Sequence, residues 1–276
     1  MAYHELDFNL KEIKMKSSVI VPVQDPTSFS PFSPRKGLEA NLVKASQSGY
    51  DGVELAITDP GRIDIAEVKK LLSRYNLAMP AITTGQAYTI EGLSLTSSNK
   101  EVRRRTIWRI KEHIRLAREL DAVVIIGLIR GKRGDEEARG FLIETLTTCA
   151  SFDNRVRLVL EPLNRYETEL INTMDEALEI VRQIGIENMG ILFDTFHANI
   201  EEVSIGESIQ KANGRLFHVH IADSNRWVPG YGHLDFKEIS RALSKIEYRG
   251  FGSLEALPKP GLENCLQESA EYIKKL

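Results

Sequence analysis

The chain has 276 residues, 42% of them hydrophobic, and a formal net charge of -3. Its length fits one eight-unit barrel better than two separate domains, and the weak charge without basic runs among aromatics argues against nucleic-acid binding. Since no apolar run reaches about eighteen residues and the start MAYHELDF lacks a basic region before an apolar core, we expect neither a membrane partner nor a secretory leader. With Cys149 and Cys265 expected to be buried thiols, the sequence predicts a cytoplasmic protein.

Eight strand-like runs bounded by turn signals recur along the chain. They are SSVIVPV (17–23), GVELA (52–56), AMPAI (78–82), AVVIIG (122–127), VRLVLE (156–161), GILFD (190–194), LFHVH (216–220) and FGSLE (251–255). Helical patterns lie between them, as in 67–76, 101–120 and 175–185. This alternation predicts an α/β fold, a single (β/α)8 TIM barrel over residues 1–276, with residues 1–16 as a candidate N-terminal extension.

No G-x-G-x-x-G follows the first strand, which argues against an open sheet that binds a dinucleotide. Two long strand-to-helix connections, 83–99 and 127–138, fall on the face where the carboxyl ends of the strands meet. In a barrel of parallel strands this face carries the active site. We therefore expect the two connections to form walls or a lid there.

Each of the last four strands ends in a residue type that divalent metals favour. These are Glu161, Asp194, His220 and Glu255, separated by 33, 26 and 35 residues, about one strand-plus-helix unit each. Taken singly, each acidic residue is more often a helix cap or turn former. Converging carboxylates, however, repel one another unless a cation lies between them, so the set predicts a site for a hard or borderline ion.

A second set of polar residues follows the same strands. Among them are Glu167, His197 and Arg226, whose density suggests recognition of hydroxyl groups, although a surface-loop role is the alternative for His197 and Arg226. His218 lies two residues before His220, and we predict that it faces the helical layer.

The stretch from Leu160 to Glu255 resembles the ketose 3-epimerases, the D-tagatose and D-allulose (D-psicose) 3-epimerase family of the xylose-isomerase-like barrels. The matching motifs are LEPLNRYET, LINT, FDTFHANIEE, HVHIADSNRWVPGYGHLDF and the Glu that ends the last strand. The first 150 residues resemble the family only in the order of strands and helices. There the chain has PVQDP and GLIRGKRG, where family members that act on free hexuloses usually carry aromatic residues.

The resemblance implies that the four strand-end residues bind Mn2+, or Co2+ or Mg2+ in its place. It gives Glu167, His197 and Arg226 the role of holding the first three carbons of a ketose through its oxygens. It also implies a divalent-metal-dependent epimerase acting at C3, in which Glu161 and Glu255 remove and return the proton through an enediolate that the ion stabilises.

Three further segments are candidates for contact with the rest of the sugar. Arg130 follows strand four, where its planar fork would match a carboxylate, so a keto sugar acid of the 5-keto-gluconate or tagaturonate type is an alternative to a free ketohexose. A solvated basic loop is an equally good interpretation of that segment. Gln86, Tyr88 and Trp227 are predicted to contact hydroxyls or cover the ring.

Other functions remain open at this point. An aldose-ketose isomerase or an inosose dehydratase would use the same ion for a different proton transfer. An endonuclease-like phosphodiesterase is more remote, because six histidines are few for a cluster of ions. A sugar-binding module without catalysis would not need two opposed carboxylates. The expected partner is a small sugar or keto sugar acid, and the subunits are expected to pair or to form a tetramer.

Overall fold

The computed structural model describes residues 15–276, apart from the side chains of residues 262–264. Eight parallel strands form a closed barrel in chain order, and the last strand pairs with the first. The strands are β1 (Lys16–Pro22), β2 (Gly52–Ala56), β3 (Ala81–Thr83), β4 (Val123–Ile126), β5 (Leu158–Leu160), β6 (Met189–Asp194), β7 (Leu216–Ile221) and β8 (Phe251–Leu254). The prediction of a (β/α)8 barrel is confirmed.

Helices follow every strand around the outside of the barrel. They are α1 (Leu38–Gln47), α2 (Ile65–Arg74), α3 (Gly85–Glu91), α4 (Lys100–Leu120), α5 (Glu136–Ala150), α6 (Met174–Ile184), α7 (Thr195–Glu201), α8 (Ile205–Lys211), α9 (Phe236–Lys245) and α10 (Leu262–Ile273). Local signals set their ends. Thr173 and Glu176 form a reciprocal capping box at the start of α6, and Gly185 ends it at a φ of 68°.

The third strand begins later than the sequence predicts. Its run was expected from Ala78, but the ladder starts at Ala81, and Ala78 makes only an isolated bridge to Gly52. Pro80 lies between them and has no N–H to give to a neighbouring strand. The predicted extension over residues 1–16 falls outside the described residues as far as residue 14, and Lys16 already belongs to β1.

The inside of the barrel divides into an apolar layer and a polar layer. Ala81, Ile125, Val159 and Leu192 form a small buried cluster there. The larger core lies between the strands and the helices. Among the described residues, no helix combines the length and the apolar character that crossing a membrane requires.

The prediction for His218 is wrong. Its side chain lies inside the barrel, where its Nε2 is 2.8 Å from Oε2 of Glu54, and its ring is 5.4 Å from that of His220. Residues two apart in a strand point to the same side, because side chains alternate with a period of two.

Candidate active site

The barrel brings the four strand-end residues to one place. Asp194 is the last residue of β6 and His220 lies in β7, while Glu161 and Glu255 directly follow β5 and β8. Three of the four are almost fully buried, and the side chain of Glu255 is 13% exposed. Parallel strands of one barrel end at the same face, which is why the spacing of these residues along the chain translates into proximity.

Polar atoms of these four residues face one another, and three of the atoms have no hydrogen-bond partner. Nδ1 of His220 is 3.4 Å from Oε1 of Glu161, 3.4 Å from Oε2 of Glu255 and 3.9 Å from Oδ2 of Asp194. Of these atoms, Nδ1 of His220, Oε1 of Glu161 and Oδ2 of Asp194 are buried and make no hydrogen bond. Buried polar atoms are rarely left without a partner, so this convergence fits a cation held by three carboxylates and one imidazole.

Asp194 serves as a helix cap and as a candidate ligand at once. Its Oδ1 accepts hydrogen bonds from the backbone N–H groups of Phe196 and His197, at 2.7 and 3.3 Å, at the start of α7. Its Oδ2 is the atom left without a partner. The two interpretations of this residue are therefore compatible, because one oxygen is enough for the cap.

His197 also lies beside the carboxylates, but its hydrogen bonds give it a different role. Its Nδ1 accepts from the backbone N–H of Asn164 at 3.2 Å and lies 2.7 Å from the side-chain amide of the same residue. A nitrogen that accepts from an N–H carries no proton, so a neutral ring carries its proton on Nε2. Burial, followed by the nearby Arg226, lowers the pKa of His197 well below its usual range, which keeps the ring neutral. Nε2, buried and unpartnered, is thus a free donor rather than a metal ligand.

Arg226 joins two carboxylates at the rim of the cluster. Its guanidinium donates to Oε1 of Glu167 at 2.8 Å and to Oε2 of Glu255 at 3.0 Å. The same group lies 3.6 Å from the ring centroid of Phe29, whose face attracts a cation. Arg226 also has a φ of 58°, a left-handed conformation that is costly for a residue with a side chain. Such strain is typical of functional positions.

Without a cation, burial and neighbouring charges shift the pKa values of the three carboxyl groups in different directions. Burial, reinforced by Glu255, raises the pKa of Asp194 well above its usual range, and burial also raises the pKa of Glu161. Burial acts in the same sense on Glu255, but the positive charges of His220 and Arg226 outweigh it and lower its pKa to about 2. An added cation would favour the charged form of all three.

Buried acidic side chains outnumber buried arginines around the site. Among the described residues around the site, four carboxylates are largely withdrawn from water. Three are those of Glu161, Asp194 and Glu255, and the fourth is that of Glu54, which lies below them with an exposure of 0%. Two guanidinium groups, those of Arg130 and Arg226, face them. Carboxylates therefore outnumber guanidinium groups around the site, and buried negative charge is costly unless a cation compensates it.

A cavity opens from the cluster towards the first half of the barrel. Glu161, His197, Arg226 and Glu255 line its inner end. Its remaining walls are mostly apolar and come from the ends of β1 to β5, with Ile20, Pro26, Phe29, Ile125, Leu128 and Leu163 among them. The prediction that connection 83–99 forms a wall is supported by Thr83, Gln86 and Thr89, whereas connection 127–138 reaches the cavity only with Gly127 and Leu128.

Gln86 presents one free acceptor in this cavity. Its Nε2 donates to the backbone carbonyl oxygens of Asp25 and Pro26, which fixes the orientation of the amide. Its Oε1 is buried and has no partner. A donor such as a hydroxyl group would complete it.

Three residues that the sequence predicts to contact a ligand lie elsewhere. Arg130 is fully buried beneath the site, where its guanidinium donates to the backbone carbonyls of Gly127, Glu161, Leu170 and Ile171. Its donors are taken up by the protein, so the prediction that it binds a carboxylate is wrong. Tyr88 and Trp227 are absent from the cavity wall, and Tyr88 packs against the hydrophobic core and Lys132.

Three residues that shape the site were not predicted from the sequence. Glu54 is a lone acid in the buried run GVELA, a combination that should have marked it as unusual. Phe29 supplies an aromatic wall seven residues after the end of β1, so the loop does carry the aromatic group that PVQDP lacks. Gly127 leaves room for a carboxylate, because a Cβ there would lie 2.7 Å from Oε2 of Glu161.

Comparisons with known proteins agree with this geometry. The family model described as xylose isomerase-like TIM barrel matches residues 42–276. Over 246 residues, 83% of each chain, the sequence is 31% identical to an L-ribulose 3-epimerase of Methylomonas sp. strain DH-1. Over 132 residues, 47% of this chain and 45% of the other, it is 41% identical to a D-psicose 3-epimerase of Agrobacterium fabrum.

Solved structures give the same result. The crystal structure of a D-allulose 3-epimerase from Methylomonas sp. in complex with D-allulose superposes with a TM-score of 0.81 at 26% identity, covering 95% of this chain and 96% of that one. The likeness extends over the whole barrel, including the first half, where sequence motifs are scarce.

Proposed function

Because the chain belongs to the xylose isomerase-like TIM barrel family and, within it, to the ketose 3-epimerases, we propose that it inverts C3 of a ketose or keto sugar acid with a divalent ion as cofactor. Its enzyme class is that of the carbohydrate isomerases. The observation that carries the proposal is the set of unpartnered buried atoms on Glu161, Asp194 and His220, which meet Glu255 at the inner end of the cavity.

The ligands of the ion are Glu161, Asp194, His220 and Glu255. Three oxygens and one nitrogen suit Mn2+, with Co2+ or Mg2+ as substitutes. When bound, the ion would act as a Lewis acid on the oxygens of the ketose and lower the cost of the negative charge that develops there. The excess of buried carboxylates over guanidinium groups supports a cation at this place.

Two carboxylates are available to move the proton at C3. Glu161 and Glu255 both line the cavity, and their nearest oxygens lie within 4.8 Å of each other. One takes the proton from C3, the other returns a proton to the opposite face, and the roles exchange in the reverse direction. Neither a thiol nor a hydroxyl of the described cavity wall offers a comparable base.

The neighbouring polar groups orient the reacting end of the sugar. Nε2 of His197 donates a hydrogen bond to an oxygen of the substrate, since this atom carries a proton and has no protein partner. Arg226 and Glu167 contribute a charged donor and an acceptor from the rim. The rings of Phe29 and Phe196 both lie close to the guanidinium, with centroids 3.6 and 4.8 Å from its central carbon, and restrict its position.

The distal half of the substrate meets apolar walls and the free oxygen of Gln86. Arg130 donates to backbone carbonyls outside the cavity, so it does not support binding of a substrate carboxylate at the distal end. Among the described wall residues, the positively charged side chain is that of Arg226, at the inner end. We therefore keep free ketoses and keto sugar acids as the two substrate classes to be separated by experiment. We further propose a cytoplasmic enzyme with reduced Cys149 and Cys265, both free and buried, that assembles into dimers or tetramers.

A panel of substrates tests the proposal. The metal-free protein is loaded with Mn2+ and incubated with ketohexoses, ketopentoses, 5-keto-gluconate and tagaturonate, and the products are separated by chromatography. We expect a C3 epimer from at least one of them and no product after chelation of the ion. Formation of an aldose would instead indicate an isomerase, and loss of water an inosose-type dehydratase.

A further inference from the structure

A second group of polar side chains lies beneath the proposed metal site, and the proposed function gives it no role. It consists of Glu54 in β2 and His218 in β7, exposed by 0% and 1%. Neither lines the cavity. Burying an ionised carboxylate costs free energy unless other groups compensate its charge, so the contacts of Glu54 show what stabilises it.

Donors surround the carboxylate of Glu54. Its Oε2 is 2.8 Å from Nε2 of His218, and its two oxygens are 3.1 and 3.2 Å from Nε2 of His220. The hydroxyl of Thr83 donates to Oε1. An ionised carboxylate only accepts hydrogen bonds, so both histidines carry a proton on Nε2.

The proton on Nε2 of His220 determines whether Nδ1 of the same ring can bind a cation. With Nε2 protonated, a neutral ring has its lone pair on Nδ1, the atom that lies 3.4 Å from both Glu161 and Glu255. The other tautomer would point an N–H at the cation and remove one ligand. A carboxylate behind a metal-binding histidine has this orienting effect in many metal sites.

We propose that Glu54 is a positioning residue that fixes the tautomer and the orientation of His220, and that His218 in turn holds Glu54. This inference rests on the proposed function only in requiring a divalent ion at Nδ1. It does not depend on which sugar is the substrate.

Glu54, His218 and His220 also lie close enough together to be considered as a second cation site. We interpret these contacts as hydrogen bonds instead, because their lengths are 2.8 to 3.2 Å and the hydroxyl of Thr83 also donates to the carboxylate. The proposal therefore requires a single ion per chain.

The variant Glu54→Gln tests the proposal without measuring turnover. An amide has the shape of the carboxylate, but it is uncharged, and in either orientation its NH2 group would face Nε2 of a histidine in place of an acceptor oxygen. Metal-free full-length protein is titrated with Co2+ and followed by visible absorption, with circular dichroism as the check of folding. We expect the Kd to rise about 10- to 100-fold.

Ser253→Ala is the matched control. Oγ of Ser253 is hydrogen-bonded to Oγ of Ser18 at 2.5 Å, and both residues are fully buried between β1 and β8. Removing this bond perturbs the barrel without touching a ligand, and we expect the Co2+ affinity to stay within about twofold of wild type. An equal loss of affinity in the two variants would overturn the proposal, as would wild-type affinity in folded Glu54→Gln or two ions per chain.

A measurement on the unaltered protein covers the case in which Glu54→Gln does not fold. Nitrogen-15 NMR of the histidine rings in the Mg2+-loaded protein should show the proton of His220 on Nε2, and a bare Nε2 would contradict the proposal. A wild-type protein that binds no divalent ion would overturn the proposed function as well. Ion binding with a wrong tautomer would overturn only the role of Glu54.

Discussion

The guanidinium of Arg130 donates a hydrogen bond of 2.5 Å to the backbone carbonyl of Glu161. The arginine that was predicted to meet the substrate therefore holds the end of the strand that carries a proposed catalytic carboxylate. Burial lowers its pKa to about 10, so it remains charged at neutral pH.

We expect Arg130→Met to destabilise the protein by at least about 3 kcal/mol, because several buried carbonyl groups lose their donor. Urea unfolding of the metal-free protein measures this change. Arg133→Met is the control, since Arg133 pairs with Asp135 and Glu137 at the surface and its replacement should cost less than about 1 kcal/mol. A stable Arg130→Met that loses activity only on keto sugar acids would restore the substrate-binding role.

Replacement of either proposed base should abolish epimerisation. Glu161→Gln and Glu255→Gln each keep the size of the side chain but remove its ability to take a proton, and positioned acid-base catalysis contributes a factor of about 10² to 10⁴. Some metal binding should persist, because the other ligands remain. Glu39→Gln, on the exposed face of α1, serves as the control. Exchange of the C3 hydrogen of both epimers with deuterium from solvent at the wild-type rate in either variant would rule out the two-base assignment.

Metal affinity should rise with pH. Burial raises the pKa of Asp194 and Glu161, and Glu54 and Glu255 outweigh burial to hold the pKa of His220 above its usual range, so protons compete with the ion at these groups. For each proton that the ion displaces, the metal affinity rises by as much as about tenfold per pH unit. Titrations with Mn2+ between about pH 6 and 8 should show a tighter Kd at higher pH and release of protons. An affinity that does not change with pH would contradict these pKa directions.

A methyl group at position 127 should disturb the reaction more than the fold. In Gly127→Ala the new Cβ would lie 2.7 Å from Oε2 of Glu161 and must displace that carboxylate. We expect kcat to fall by at least about tenfold, since small errors in the position of a catalytic group are costly. Gly140→Ala, in α5 with open space around it, should leave kcat unchanged.

The free oxygen of Gln86 predicts a contribution to substrate binding. Gln86→Leu removes the acceptor, and we expect kcat/KM to fall about fivefold or more, the value of one hydrogen bond of about 1 kcal/mol. Tyr88→Phe is the control, because Tyr88 lies off the cavity wall and should have no effect. If both variants behave like wild type, the cavity has a different distal contact.

The sequence allowed the barrel and the proximity of its strand-end residues to be predicted because both follow from one repeating pattern. Glu161, Asp194, His220 and Glu255 each follow an apolar run, and a parallel barrel gathers such positions automatically. The repeating pattern does not predict contacts that depend on the direction in which a long side chain extends. Arg130 lies on the functional side in sequence, yet its long side chain turns inwards to backbone carbonyls of two other segments.

Glu54 and Phe29 are site residues that the repeating sequence pattern could not predict. Glu54 lies within a strand rather than at its end, so the rule that located the other acids did not reach it. Phe29 lies in a loop whose course places it over Arg226, a residue almost two hundred positions later. Pairs so distant in sequence become neighbours only through the closure of the barrel between β1 and β8.

The cavity draws its reactive end from β5 to β8 and most of its distal walls from β1 to β4. Under the proposed function, the residues that would contact the distal end of the sugar and those that would move the proton therefore come mostly from separate halves of the chain. Directed evolution towards rare sugars would therefore begin at Pro26, Thr27, Gln86 and Thr89, and would leave Phe29 and Thr83 unchanged because they contact Arg226 and Glu54.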